Sequence, residues 1–207
     1  MTRRIVVGIT GASGALVARR VLELLAARDV EIHLAVTPLG RRLLHDELGM
    51  EGIDLDGLTG GRAGQVTLHR DKDVGAAIAS GSFQHEGMII VPCSGNTLGA
   101  IASGVTLNLV HRAALVCLKE RRRLILAYRE MPLSSIDLEN MERLTRAGAI
   151  IAPLTPGFYM LPRTIGDVVD FLAGRLVDLV GVGHDLPVRW EGAMPARPEG
   201  DEAESLD

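Results

Sequence analysis

Short runs rich in Ile, Val and Leu recur along the chain, and the segments between them carry apolar residues at helical spacing; this alternation narrows the possible folds more than any other feature. The runs are Arg4 to Ile9, Glu31 to Val36, Met88 to Val91, Arg123 to Ala127 and Ala149 to Ala152. Each is apolar almost throughout, as strands buried on both faces must be. The expected architecture is α/β, a single three-layer domain with a mainly parallel sheet covered by helices. Helices are expected at Ala15 to Ala27, with Leu16, Arg20, Leu24 and Ala27 in step, and at Asn108 to Lys119, with Leu109, Ala113, Val116 and Leu118. Two more are expected at Ser135 to Ala147 and Thr164 to Val180. In the last, Thr164 is the N-cap and Val168, Phe171, Leu172, Leu176 and Leu179 form the apolar stripe. Gly52 to Gly64 reads as a loop. With 207 residues the chain suits one domain, placed at 1–193, and the acid-, Pro- and Gly-rich residues 194–207 read as a disordered tail.

Composition excludes several classes of function. A hydrophobic content of 47% with 23% charged residues describes a folded protein. A formal net charge of -4 argues against a non-specific nucleic-acid binder, which needs a basic surface. No apolar run approaches the ~18 residues of a membrane span, so no membrane insertion is expected. The opening Arg3-Arg4 and Ile5 to Ile9 is broken from Gly8 to Gly14, which suits a strand and turn better than a signal peptide and points to a cytoplasmic protein. Cys93 and Cys117 lie in apolar segments without CxxC spacing, and the six histidines show neither HxH nor HExxH. No catalytic metal is expected.

Chemistry concentrates where strands end. Thr10-Gly11-Ala12-Ser13-Gly14-Ala15 follows the first strand and opens the first helix, so its backbone N–H groups either face a phosphate or form a plain turn. Pro92-Cys93-Ser94-Gly95-Asn96-Thr97 follows another strand and offers hydroxyl, amide and backbone donors, with Ala79 to Phe83 as a loop able to approach the same crevice. Cys93 has no general base nearby in sequence and reads as a structural thiol rather than a nucleophile. Arg129-Glu130 follows a further strand; it can pair with phosphate and exchange a proton, or be a solvated surface pair. Arg112, Lys119 and Arg175 are further candidate cations and Glu47 a further carboxylate, although Lys119 to Arg123 also reads as a charged helix end. Aromatic residues make up only 3%, so Phe158, Tyr159 and Trp190 stand out as stacking groups, with Tyr159 equally suited to a core edge.

The ordered set of TGASGA at 10–15, SGSF at 80–83, PCSGNTL at 92–98, LKERR at 118–122, REMPLS at 129–134, LENM at 138–141 and PGFY at 156–159 resembles the UbiX/Pad family of flavin prenyltransferases. The likeness runs from about Arg3 to Trp190. It implies a Rossmann-like, flavodoxin-type domain in a homo-oligomer, usually a dodecamer, with FMN at subunit interfaces. It further implies transfer of a dimethylallyl group from dimethylallyl monophosphate to reduced FMN, at N5 and then C6, with the prenylated FMN passed to a UbiD-type decarboxylase. Carried over to this chain, Gly11, Ala12, Ser13, Thr37, Ser94, Gly95, Asn96, Thr97 and Arg129 hold the flavin. Lys119, Arg129, Tyr159, Arg175 and Trp190 meet the prenyl phosphate, and Ser13, Glu47, Lys119 and Glu130 are catalytic, Glu47 reaching across an interface. Departures are Leu16 and Val17 where the family commonly has an aromatic, Leu115 where it often has Asp, Asp137 where it often has His, and Thr37 for Ser.

Two other readings compete. FMN-dependent decarboxylases of cysteinyl substrates share the general fold but carry a PxMNxxMW-like motif where this chain reads PCSGNTLG. A non-catalytic flavin-binding protein would have no need of Lys119, Arg129, Glu130, Tyr159 and Arg175 together. Decarboxylation by the chain itself lacks a covalent or metal electron sink and belongs to a partner using the modified flavin.

Overall fold

The structure is a computed structural model in which residues 3–189 are described; the tail expected at 194–207, and Trp190, lie outside them. Its centre is a six-stranded sheet in the order β3-β2-β1-β4-β5-β6. The strands are β1 (Arg4–Ile9), β2 (Glu31–Val36), β3 (Val66–His69), β4 (Gly87–Cys93), β5 (Arg123–Tyr128) and β6 (Ile150–Ile151). Every neighbouring pair is parallel. The helices are α1 (Ala15–Ala26), α2 (Pro38–Leu48), α3 (Leu55–Thr59), α4 (Gly95–Ala102), α5 (Leu109–Lys119), α6 (Ser135–Arg146) and α7 (Ile165–Val180).

Strand order fixes the layers. From β1 the chain moves one way to β2 and β3, then returns beside β1 and moves the other way through β4, β5 and β6. Right-handed crossovers running in opposite directions place their helices on opposite faces. Accordingly Ile5, Val7 and Ile9 of β1 pack with α1 residues such as Val21 and Leu25 and with α7 residues Leu176, Val177 and Val180. Val6 and the β5 residues Leu124 and Leu126 pack instead with Leu98 of α4, Val110 and Ala114 of α5, and Leu144 just before the end of α6. The sheet is thus apolar on both faces, which is why its strands lack polar alternation.

Several expectations change. The stretch 52–64 contains α3, capped by Asp54, whose side chain accepts from Gly57 N–H at 3.0 Å. The buried stripe of α7 is centred on Ala173, Leu176, Val177 and Val180, while Val168, Phe171, Leu172 and Leu179 are half-buried. On α1 the buried residues include Val17, Val21, Leu22 and Leu25, with Leu16 and Arg20 beside that face rather than at its centre. Thr164 caps α7 as expected, and Asp167 closes a reciprocal capping box with it. Among the described residues no helix is long and apolar enough to cross a membrane, and no cluster of three or more His, Cys, Asp or Glu could hold a metal ion.

Candidate functional site

In a parallel sheet all carboxyl ends share one edge, and here the strand order reverses between β1 and β4, leaving a crevice between the loops that follow them. Thr10 ties the two loops together. Its Oγ donates to Pro92 O at 2.7 Å and accepts from Ser94 N–H at 2.9 Å, and its own N–H reaches Pro92 O at 3.3 Å. Next to this pair, Thr37 N–H donates to Ile9 O at 3.0 Å, and the Thr37 hydroxyl caps α2 by accepting from Gly40 N–H at 3.0 Å. Gly11 packs so closely on α2 that a Cβ there would lie 2.4 Å from Leu39 Cβ. Gly14, at φ +138°, takes a backbone conformation that side chains rarely adopt.

The starts of α1, α2, α4 and α6 therefore gather at this edge, each with the positive end of its dipole facing outward. Ser94 caps α4, its Oγ accepting from Thr97 N–H at 3.4 Å, and Asn96 stands exposed on the first turn. Ser13 is exposed at the start of α1 while Ala12 is buried. Glu47, near the end of α2, lies where sequence order gives no hint of it: its carboxylate accepts from Gly14 N–H at 3.1 Å and Ala15 N–H at 2.8 Å. A carboxylate already occupies the α1 start of its own chain.

Arg129 continues β5 into the same crevice, its N–H donating to Cys93 O at 3.3 Å. Its Nε is buried without a hydrogen-bond partner. A buried guanidinium nitrogen with nothing to donate to is costly, and an anionic group in the crevice would satisfy it. The glycine-lined loop, the clustered helix starts and this nitrogen together fit the phosphate-bearing FMN. Glu130 is exposed, 4.0 Å from Arg129 Nη1, with one carboxylate oxygen accepting from Met131 N–H at 3.2 Å. Cys93 is fully buried and burial pushes its thiol pKa well up, so it is no nucleophile. Cys117 is likewise buried and pushed up to about 12.

Asp137, a departure in sequence, has a clear structural place. It accepts from the Tyr128 hydroxyl at 2.7 Å and from Ser134 Oγ at 2.6 Å, and by accepting from Ser134 N–H at 2.9 Å it completes the α6 capping box. The Ser134 and Tyr128 hydrogen bonds hold its carboxyl below the usual range.

Tyr159 and Arg175 come together on one wall, lining a cavity of about 470 Å³ with Asp178, Val188 and Arg189. Arg175 also lines an adjoining cavity with Leu154 and Thr155 of the loop after β6, and Leu154 Cδ1 lies 3.0 Å from the position a Gly14 Cβ would take. This wall thus adjoins the β1 loop. Lys119 is not brought to the crevice. It closes α5 four residues before β5 begins, at the amino-terminal edge of the sheet, where its Nζ meets Glu120 at 2.7 Å. Asp178 and Arg189 are cavity residues that sequence reading does not single out, because their pairing depends on how the chain turns back after α7.

The model of the Flavoprotein family matches residues 1–177. The flavin prenyltransferase UbiX of Halalkalibacterium halodurans is 44% identical over 188 residues, covering 89% of this chain and 91% of that protein. The crystal structure of AnUbiX (PadA1) in complex with FMN and dimethylallyl pyrophosphate superimposes with a TM-score of 0.84 at 41% identity, covering 93% of this chain and all of that one. A dodecameric FMN-dependent UbiX-like decarboxylase from Escherichia coli O157:H7 gives a TM-score of 0.83 at 39% identity, over 91% of this chain and 100% of its own. The cysteine decarboxylase TvaF, at 17% identity and a TM-score of 0.56, shares the fold alone. With this extent of identity across nearly the whole chain, and a crevice suited to a flavin phosphate, the protein belongs to the UbiX family of flavin prenyltransferases.

Proposed function

We propose that this protein joins a dimethylallyl group from dimethylallyl monophosphate to reduced FMN, and that the prenylated FMN serves a UbiD-type decarboxylase. The observation that carries the reading is the crevice between β1 and β4, where four helix starts and the unpartnered Nε of Arg129 converge in a chain of this family. FMN, when bound in reduced form, supplies the nucleophilic ring atoms.

The chain's own residues do the rest. Gly11, Ala12, Ser13, Thr37, Ser94, Gly95, Asn96, Thr97 and Arg129 bind and orient the flavin, with backbone N–H groups and the guanidinium meeting its phosphate. Tyr159 and Arg175 hold the donor phosphate, which departs with the electron pair of the allylic C–O bond. Cations stabilise the charge it gains. Glu130, within reach of Arg129 and open to solvent, exchanges the proton that accompanies the transfer. Glu47 steadies the α1 start of its own chain through Gly14 and Ala15 N–H, whereas Lys119 acts from a neighbouring subunit. The position of Lys119 at the far edge of its own sheet supports this, as does the dodecameric state of the E. coli relative.

Anaerobic incubation of the purified protein with reduced FMN and dimethylallyl monophosphate, followed by mass spectrometry of the extracted flavin, tests the proposal. Flavin heavier by one dimethylallyl unit is the expected result. Bound but unmodified flavin, with no phosphate released, would overturn it.

A further inference from the structure

The cavity beside Tyr159 is lined by two guanidinium groups that Asp178 engages unequally. Arg189 is fully engaged: its Nη2 donates to Asp178 Oδ1 at 2.5 Å, its Nε to Asp178 Oδ2 at 3.3 Å and its Nη1 to the His184 carbonyl at 3.1 Å. This two-pronged pair cancels one positive charge. Arg175, three residues before Asp178 on α7, approaches the same carboxylate at 3.9 Å, outside hydrogen-bonding range. His184 completes the surroundings of Asp178. It is buried, its Nδ1 accepts from Leu186 N–H at 3.1 Å, and its Nε2 therefore carries the hydrogen, 3.4 Å from Asp178 Oδ2. Burial works to raise the Asp178 pKa, but the Arg189 hydrogen bond and the nearby positive groups outweigh it and hold the carboxyl below its usual range. Asp178 is thus ionised and committed mainly to Arg189.

We propose that Asp178 biases which phosphorylated donor the cavity accepts: by pairing closely with Arg189 it leaves Arg175, 3.9 Å from the same carboxylate, as the less compensated guanidinium among the described residues lining the cavity, which favours a monophosphate ester over a diphosphate. The proposal rests on the reading of Tyr159 and Arg175 as the phosphate end of the donor site. Selectivity here comes from a charge withheld as much as from a charge supplied. A diphosphate brings an additional ionised phosphoryl group, and among the described residues lining this cavity the second guanidinium that could pair with it is held by Asp178. Without the carboxylate, Arg189 becomes available. Without Arg189, the carboxylate can turn to Arg175 and neutralise that instead.

The test uses the full-length, flavin-loaded protein, with inorganic phosphate and pyrophosphate as calorimetric probes and the two dimethylallyl esters as kinetic ones. Asp178→Asn, nearly isosteric, is expected to raise affinity for pyrophosphate relative to phosphate by about five- to tenfold, as one half-exposed charge would. The ratio of KM values for the two esters should shift by a similar factor. Arg189→Gln is expected to weaken binding of both anions severalfold. An Asp178→Asn protein that keeps its flavin but leaves the ratio unchanged overturns the proposal, as does an Arg189→Gln protein with wild-type anion affinity. Arg175→Met separates the two levels. If it leaves anion binding intact, the donor-site reading fails and the proposal falls with it. If it weakens both anions while Asp178→Asn leaves the ratio unchanged, only the selectivity argument falls.

Discussion

Glu130 and Asp137 show how nearby carboxylates on one loop and helix start acquire different duties. Asp137 is tied by Tyr128 and by Ser134, so it is fixed in place; it caps the start of α6 and orients a phenol. Glu130 is exposed, with Arg129 4.0 Å away, and in the proposed reaction is the carboxylate that exchanges a proton with the reacting groups. Glu130→Gln keeps size and hydrogen-bonding capacity but cannot exchange a proton. It is expected to slow prenyl transfer by about a hundredfold while leaving FMN affinity near wild type. Single-turnover kinetics beside a flavin titration would check this, and normal turnover would remove Glu130 from the chemistry. Gly11 and Gly14 owe their presence in the loop to separate causes, the first to the closeness of Leu39 and the second to its positive φ.

At the scale of elements, strands and helices were legible in sequence to the extent that their own apolar pattern declared them. β1, β2, β4 and β5 are buried on both faces and stood out as mostly apolar runs, broken in β2 by His33, whereas edge strand β3 has two exposed residues, Thr67 and Leu68, and gave no such signal. Helix α4 was hidden by Gly95, Asn96, Thr97 and Gly99, small residues that read as loop until Ser94 is seen capping them. α2 begins at Pro38 and buries only Gly40, Leu43 and Leu44, too sparse a stripe to recognise. The crevice loops were legible because strand ends in such sheets are where ligands bind, but the Glu47 carboxylate and the Asp178–Arg189 pair depend on packing between distant segments. His85, just before β4, gives the fold a predictable response to acid. Its Nδ1–H donates to Gly87 O at 3.2 Å, its Nε2 is buried without a partner, and burial, helped by the charge of Arg122, lowers its pKa from 6.5 to about 4. The folded protein therefore favours neutral His85. That stability is fully present above pH 6.5 and is lost as pH falls toward 4, because the unfolded chain takes up a proton that the folded one refuses. Roughly 3 kcal/mol is the expected loss for a shift of this size. Urea unfolding at a series of pH values should show it, and His85→Asn, which retains a donor for Gly87 O, should flatten the profile; an unchanged slope would count against the assignment.

For the whole molecule, the main consequence of the fold is that one chain holds its candidate groups on two opposite edges of the sheet. Arg129, Glu130 and the Gly11 loop lie at the carboxyl edge, and Lys119 at the amino edge. Exposed apolar side chains such as Met131, Ile136, Phe158 and Ile165 offer surface that assembly can bury. If sites are composed across subunits, Lys119→Met and Glu130→Gln proteins, each impaired alone, should regain part of their activity when dissociated and reassembled together, because some sites then receive both intact residues. Light scattering should give a mass of about twelve chains, matching the E. coli relative; recovery absent from a mixed assembly of that size would argue for sites confined to one chain. The sheet order also bears on synthesis. β1 lies between β2 and β4, with Ile5 beside both Ile32 and Gly87, so one side of this first strand waits until the middle of the chain has been made. A ribosome delivers the Thr10 loop long before the Pro92 carbonyl that anchors it, and a nascent chain halted short of β4 has the beginning of a flavin cradle without its opposite wall.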